Sequence, residues 1–385
     1  MIVMDLYLDN FFAFKNYRIN MSYPKKIVDS YIENEYLIDR PNFRYKKVNI
    51  FMGANATGKT TLGKSLMSIF NFLHKKELSH IVDEICDKRK PASFSIDFVA
   101  NTPYLYRVSA KFLPSEVEDN NEPNVSIHTQ KVKINKADSY EMCTKKFIDK
   151  CDNNTDYLVG LDAVEDIGWL FTYPTDGSAI NDIHFQKDSD IFIKVLNNIL
   201  KSLDPSIEYI SKLSDVEDGY RIKIGDMDLL MKSNEVIPKN ILSSGTQAGI
   251  SLASLVTALI EGRNGFYYCD EKFSYIHSDL EKALLTVMIN KLLPNQQLFF
   301  TTHNTDILDL PLPKHTFNFM KKGSSNEQPI QSVNASNYLK RNTDSLKTAV
   351  ENDLFATAPE VELIYEINDI QVSDIKKGSS DSGKQ

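Results

Sequence analysis

The chain has one tryptophan, four cysteines and 15 glycines in 385 residues, and no apolar run approaches the roughly 18 to 20 uncharged residues that a membrane helix needs. Cys86, Cys143, Cys151 and Cys269 are too few, and too far from histidines, for a disulfide framework or a zinc site, so they are expected to be reduced and structural. The start, MIVMDLYLDNFF, lacks the basic region and small-residue cleavage site of a signal peptide, which with the missing membrane segment points to the cytoplasm. An excess of positive charge is also missing. With 44 basic and 52 acidic side chains the net charge is −8, which argues against strong sequence-blind attraction to a phosphate backbone. The clusters Lys88-Arg89-Lys90, Lys145-Lys146 and Lys321-Lys322 are short and far apart, so they read as solvated surface, and DNA binding would need a local patch or a partner. No heptad pattern is sustained enough for a coiled-coil arm, and there is no internal repeat.

What is present suits a sizeable core: 42% hydrophobic and 25% charged residues, in a length that implies roughly two to three domains or one large α/β domain with insertions. Residues 1 to 20 alternate as a strand pair, with Ile2, Met4, Leu6 and Leu8 followed by Phe12, Phe14, Tyr17 and Ile19. Tyr23 to Arg40 is polar and helix-compatible, an insertion closed by Pro41. Phe94 to Val99 and Tyr104 to Val108 read as a hairpin, and residues 114 to 160, the most polar part of the body, as a peripheral subdomain. A helix is predicted from Asp190 to about Leu203, then short strands at Ile207 to Lys212, Tyr220 to Ile224 and Met227 to Met231.

Three segments carry chemistry. Val48 to Met52 is an apolar, β-prone run that empties into Gly53-Ala54-Asn55-Ala56-Thr57-Gly58-Lys59-Thr60, followed by an apolar pattern of helical spacing. This is a G-x-x-x-x-G-K-T loop, whose glycines let backbone N–H groups turn toward the α and β phosphates of a nucleotide. Lys59 adds a point charge near the β and γ phosphates, and Thr60 offers a hydroxyl to Mg²⁺. The second segment, Leu242-Ser243-Ser244-Gly245-Thr246-Gln247, opens another apolar helix and is followed by the strand Phe266 to Cys269 ending in Asp270 and Glu271. Asp270 is placed to hold Mg²⁺ and Glu271 to polarise an attacking water. Alone, the first of these motifs also suits a plain helix cap and the second a turn. The third segment, Leu298 to Thr302, delivers His303 from its end. A lone histidine is usually structural. Here strand, helix and strand follow in the order a parallel sheet needs, so that Lys59, Asp270, Glu271 and His303 fall on one edge.

At this point the chain resembles the ABC-type ATPases, the superfamily of the SMC, Rad-fifty, RecF and OLD-like proteins, over residues 1 to about 320. Gly53 to Thr61 looks like the Walker A motif, Leu242 to Gln247 the signature, Phe266 to Glu271 the Walker B, Tyr275 to Asp279 the D-loop region and His303 the switch histidine. The resemblance implies an α/β ABC-ATPase head: a mixed sheet with a P-loop core, an antiparallel β subdomain and helical insertions. It implies ATP and Mg²⁺ as ligands, nucleotide contacts from Gly53, Asn55, Ala56, Thr57, Gly58, Lys59, Thr60 and Thr61, metal contacts from Thr60 and Asp270, and catalysis by Glu271, His303 and Lys59. In that family two ATPs are sandwiched between two heads, so Ser243 and Gly245 would act in trans within a homodimer or larger assembly.

The signature reads LSSGTQ rather than LSGGQ, a variant that looks like OLD-like and related bacterial defence ATPases more than transporters. No Q-loop glutamine is evident near Asn101. Phe14 or Tyr17 could stack on adenine or pack in the core. After His303 come one strand near Phe317 to Met320 and a helical stretch Leu346 to Phe355 without a D-x-D cluster, so no built-in nuclease is expected. RNTDSLKTAVENDLFATAPE looks like the C-terminal portion of stand-alone anti-phage ATPases, which implies a separately encoded effector protein as partner. A RecF-like, DNA-clamping repair ATPase is the alternative; a slow scaffold with structural ATP is a third reading, and transport is disfavoured. The expected division is an N-terminal part of the head at 1–110, an insertion at 111–205, a C-terminal part of the head at 206–320, a helical extension at 321–377 and a disordered tail at 378–385.

Overall fold

A computed structural model describes residues 1–27, 30–100, 103–114, 123–147, 168–172, 190–213, 215–216, 219–232, 235–237, 241–271, 273–274, 276–341, 344–358 and 361–369. The chain begins with β1 (Ile2–Asp9) and β2 (Tyr17–Asn20), the short ribbon β3 (Tyr36–Leu37) and β4 (Arg40–Arg44), and the buried β5 (Val48–Met52), which leads into α1 (Lys59–Lys75) and α2 (Ser79–Val82). Next come β6 (Ala92–Val99), β7 (Tyr104–Leu113), β8 (Asn124–Lys133), α3 (Tyr140–Thr144), β9 (Trp169–Thr172) and α4 (Asp190–Leu203). Then follow β10 (Ile207–Lys212), β11 (Gly219–Ile224), β12 (Met227–Lys232) and β13 (Glu235–Ile237), α5 (Ser244–Glu261), β14 (Phe266–Asp270), α6 (Ser278–Lys291) and β15 (Gln297–Thr301). The hairpin β16 (Phe317–Ser325) and β17 (Gln328–Asn334) is followed by α7 (Ala335–Tyr338), α8 (Leu346–Glu351) and α9 (Glu362–Tyr365).

The central sheet has the order β17-β16-β5-β15-β14-β9, parallel except for the antiparallel β17. Every residue of β5, β14 and β15 is buried, as expected of parallel strands covered on both faces. Successive side chains go to opposite sides. Phe51, Phe266, Tyr268 and Phe299 pack with Leu62, Leu66 and Phe70 of α1, while Ile50, Tyr267, Cys269 and Phe300 pack with Ile250, Leu252 and Leu255 of α5. A second, antiparallel sheet of order β2-β1-β6-β7-β8 joins the α1 side of this core, and β10 to β13 form a third sheet. This is the mixed-sheet α/β fold, with an antiparallel β subdomain, that the motifs implied.

Several local expectations are corrected. Residues 23–40 form no helix among those described. Ile32 and Leu37 are buried separately, and Glu35 is drawn inside to accept from Tyr45 N (3.1 Å) and to meet His315 Nε2 at 2.6 Å, so tertiary partners override local propensity. Pro41 does not close the segment but lies inside β4, tolerated because the two-stranded ribbon is all edge. The described part of the polar 114–160 stretch is no separate subdomain, since β8 pairs with β7 along its whole length and Tyr140 and Cys143 are buried. The strand at Phe317 is one arm of a hairpin whose edge strand β17 contains Pro329 and alternates weakly, which hid it; β13 was also missed. The boundaries at 110 and 205 do not coincide with sheet boundaries, because β8 belongs to the N-terminal sheet and β9 to the central one. The tail at 378–385, Cys151 and Tyr275 lie outside the described residues; Cys86, Cys143 and Cys269 are free thiols. Among the described residues no helix is long and apolar enough to cross a membrane.

The packing of α1 on the sheet depends on Gly63, where an added Cβ would lie 2.5 Å from Cε1 of the buried Tyr268 ring. Tyr268 is held there by donating its hydroxyl to Lys59 O at 2.7 Å, so it cannot swing away. Gly63→Val should therefore lower the unfolding free energy by about 1–3 kcal/mol through overpacking. An unchanged denaturant midpoint would show that this contact does not limit how α1 packs.

Candidate nucleotide-binding site

The buried β5 fixes where the loop after it begins. Gly53 leaves the strand at φ 152°, and a Cβ there would lie 2.2 Å from Met320 O; Gly58, at φ 97°, closes the loop against Ile330. Ala56 also has a positive φ of 61°, and Thr57 donates its hydroxyl to Ala54 O at 2.8 Å, drawing the loop into a tight turn. Gly58 is the N-cap of α1 and supplies no side-chain acceptor, and the first turn holds no acid. The first N–H groups and the positive end of the helix dipole are thus left to an anion. Asn55 and Ala56 are exposed, and Thr60 and Thr61 are half-buried in the first turn.

Lys59 is 4% exposed and donates from Nζ to Gly53 O (2.8 Å) and Ala54 O (3.1 Å). Its third contact is Glu271 Oε1 at 3.3 Å, and the same oxygen lies 2.7 Å from His303 Nε2. Lys59 and His303, more than 200 positions apart in the chain, thus share one oxygen of Glu271. Burial opposes the charge on Glu271, but the His303 hydrogen bond and the Lys59 ammonium outweigh it and hold the carboxyl below its ordinary range. Burial also pulls Lys59 down, with Glu271 resisting. Glu271 adopts a left-handed φ of 39°, fixed by its N–H donating to Thr301 Oγ1 (2.9 Å) and Thr301 O (3.2 Å).

Asp270 is fully buried. Its Oδ1 accepts from Thr301 Oγ1 at 2.6 Å, while its Oδ2 has no hydrogen-bond partner. Burial pushes its pKa up, and the Thr301 and Thr60 hydroxyls hold it back. An orphaned carboxylate oxygen beside a threonine hydroxyl suits a hard divalent cation such as Mg²⁺. Among the described residues no cluster of three or more His, Cys, Asp or Glu could hold a metal, so such a cation would bind together with phosphate oxygens and water.

Ser243 and Gly245 are not brought into this cluster. Ser243 is exposed and caps α5, accepting from Thr246 N at 3.1 Å, and neither residue lines the cavity beside the P-loop. α5 ends where the turn into β14 begins, so its capped start lies about 27 Å back, toward the strands' carboxyl ends and open to solvent. Phe14 and Tyr17 are core residues, buried and packed on each other with centroids 4.4 Å apart, which excludes them as an adenine platform in this arrangement.

Three features were not anticipated from the sequence. Thr301 serves both acids at once, and its only sequence signal is a polar residue at the carboxyl end of an apolar strand. The buried Glu281 accepts from Thr302 Oγ1 and Asn304 Nδ2, each at 2.6 Å, and so clamps the loop on both sides of His303. The C-terminal segment, expected as a helical extension, walls the site. A cavity of about 590 Å³ lies between Gly53, Ala54, Asn55 and His303 on one side and Lys347, Glu351 and Thr357 on the other. Phe355 holds this wall in place by stacking on Phe319, with centroids 4.0 Å apart and planes 9° from parallel.

No protein-family model and no curated protein matches the sequence. Solved structures do match the fold. An SMC head bound to the C-terminal winged-helix domain of ScpA covers 88% of this chain and 100% of its own, at 13% identity and a TM-score of 0.50. An Smc head with an extended coiled coil, bound to the C-terminal domain of ScpA and derived from Pyrococcus furiosus, covers 88% of this chain and 98% of its own, at 11% identity and a TM-score of 0.50. The chain therefore has the fold of an SMC-type ATPase head.

Since burial raises the pKa of Asp270, its folded carboxylate carries an unfavourable charge at neutral pH, a penalty that disappears as pH falls and the group takes up its proton. Asp270→Asn should raise the melting temperature of the nucleotide-free protein at pH 7 by about 1 °C, what ~1 kcal/mol is worth in a chain of this size, and the gain should shrink toward pH 4. A lower melting temperature at pH 7 would mean that the carboxylate is stabilising as it stands.

Proposed function

We propose that the chain is an ATP-hydrolysing, ABC-type enzyme. The observation that carries this is the convergence of Lys59, Glu271 and His303 on one oxygen beside an uncapped, glycine-built helix start. In the proposed cycle Lys59 exchanges its loop carbonyls and Glu271 for phosphate oxygens. Asp270 and Thr60 hold Mg²⁺, which when bound neutralises charge developing on the phosphates. Released from Lys59, the Glu271 carboxylate orients and polarises the attacking water. Its depressed pKa in the nucleotide-free cluster means that it enters the cycle ionised at neutral pH, and His303 contacts the terminal phosphate.

The exposed Ser243 and the half-buried Gly245 act in trans on the nucleotide of a second copy, so the active form is a homodimer or a higher assembly. Support comes from their placement outside the cluster with their helix start open to solvent. The N-terminal and C-terminal parts of the head function as one unit. Nucleotide state gates a separately encoded effector, and the setting is anti-phage defence. Support for this last step is the LSSGTQ spelling and the C-terminal resemblance, both read from sequence.

Glu271→Gln should slow phosphate release by roughly 100-fold or more and accumulate ATP-bound dimers, whereas Lys59→Ala should lose nucleotide binding. Full turnover by pure Glu271→Gln would remove Glu271 from its role. Mixing two inactive variants, Lys59→Ala and Ser243→Leu, should restore turnover, because one composite site is then intact; a mixture that stays silent argues against action in trans. A protein encoded beside this chain should co-purify with Glu271→Gln and dissociate from the wild type after hydrolysis. An ATP-dependent, salt-sensitive shift of duplex DNA by the pure protein would favour the RecF-like reading instead.

A further inference from the structure

A second cleft, of about 510 Å³, lies between β2, the outer strand of the antiparallel sheet, and β17, the outer strand of the central sheet. It shares no residue with the cavity beside the P-loop. In a chain with 52 acidic and 44 basic side chains, Arg18, Lys25, Lys46 and Lys340 meet here, and among the described residues no carboxylate lines the walls.

Lys46 is the unusual member. It is 7% exposed, its Nζ donates to Asn20 O at 2.9 Å, and among the described residues no carboxylate lies within ion-pair distance of it. Burial without a counter-charge lowers its pKa to about 8. An ammonium kept inside the protein with no anion beside it is costly, and a bound anion would relieve the cost. Of these four cations the acids beside the lining offset Arg18 alone. Asp5 is already engaged by Arg18 Nε at 2.9 Å and Asn20 Nδ2 at 2.7 Å, and Glu141 reaches the lining only by accepting from Ser22 Oγ at 3.1 Å. Tyr23 of the lining packs on the His315 ring behind it, with centroids 4.4 Å apart and planes 35° from parallel. The volume is that of a small-ligand pocket.

We propose that this cleft binds a small polyphosphate-bearing ligand of nucleotide size, its phosphates held by Lys46 at the floor and by Arg18, Lys25 and Lys340 at the rim. With no acid or histidine among the described lining residues to activate water, the site holds its ligand without hydrolysing it, which makes it an effector site. Its position also couples it to the P-loop strand. Asn49 donates to Lys46 O at 2.8 Å, and Asn334 of the lining donates to Asn318 Oδ1 (2.9 Å), while Asn318 Nδ2 donates to Asn49 Oδ1 (3.3 Å) at the base of β5.

The test is calorimetric titration of the full chain carrying Lys59→Ala with tripolyphosphate and, separately, with Mg²⁺-free ATP. This background keeps P-loop binding out of the signal, and the result does not depend on the P-loop reading being right. Binding of either probe that weakens at least tenfold on adding Lys46→Met, and again with the surface pair Lys25→Glu and Lys340→Glu, is the expected result; the two probes tell an inorganic polyphosphate from a nucleotide. The surface pair keeps the test decisive if Lys46→Met does not fold. No binding at millimolar probe, binding unaffected by the surface pair, or retention of a duplex oligonucleotide without tripolyphosphate binding would overturn the proposal.

Discussion

The parallel pairing of β5, β15 and β14 is the constraint on which the rest depends. Thr301 stands beside Phe51 on one side and Asp270 on the other, so the three strands stop level and release their chains at the same edge. With neighbouring strands about 4.8 Å apart, the P-loop and the acid pair are separated by roughly two strand spacings, within reach of a lysine side chain. The ladder continues past the strand ends, with Thr302 N donating to Phe51 O and Glu271 N to Thr301 O, so the site grows directly from the register of the sheet.

This edge concentrates charge where water is scarce. Lys59 and Asp270 are driven toward neutrality by burial, while Glu271 is held ionised by its two cationic or hydrogen-bonding neighbours. Without nucleotide the cluster satisfies itself, as Lys59 caps two loop carbonyls and Glu271 ties Lys59 to His303. The backbone strain at Glu271 and the orphaned Asp270 oxygen are what remains. Both sit where a cation and a triphosphate would act, which is where natural proteins tolerate locally unfavourable arrangements.

Around this core the chain adds two features that bear on β5. The C-terminal segment closes one side of the P-loop cavity through the Phe355 stack, and the asparagine network of Asn49, Asn318 and Asn334 ties the foot of the same strand to a basic cleft. Buried asparagine networks of this kind are stiff because every broken hydrogen bond leaves a desolvated polar group. A shift in β17 therefore has a short path to the strand that carries the P-loop.

The sequence by itself determined the elements that are local in cause. The apolar run into a glycine-lysine loop, the acid pair at a strand's end, the capped helix after Leu242 and the histidine after an apolar strand each follow from a few adjacent residues, and their order along the chain implied the parallel sheet. The tertiary structure alone decided what depends on partners far away. Residues 23–40, helix-compatible in isolation, were pulled into an irregular path by the burial of Ile32, Leu37 and Glu35. The double role of Thr301, the clamp by Glu281 and the wall formed by the C-terminal segment arise from contacts across tens to hundreds of positions, which no periodicity records. Propensity acts over a few residues, whereas the cost of burying a charge or an unpaired polar group is settled only by whatever the fold brings beside it.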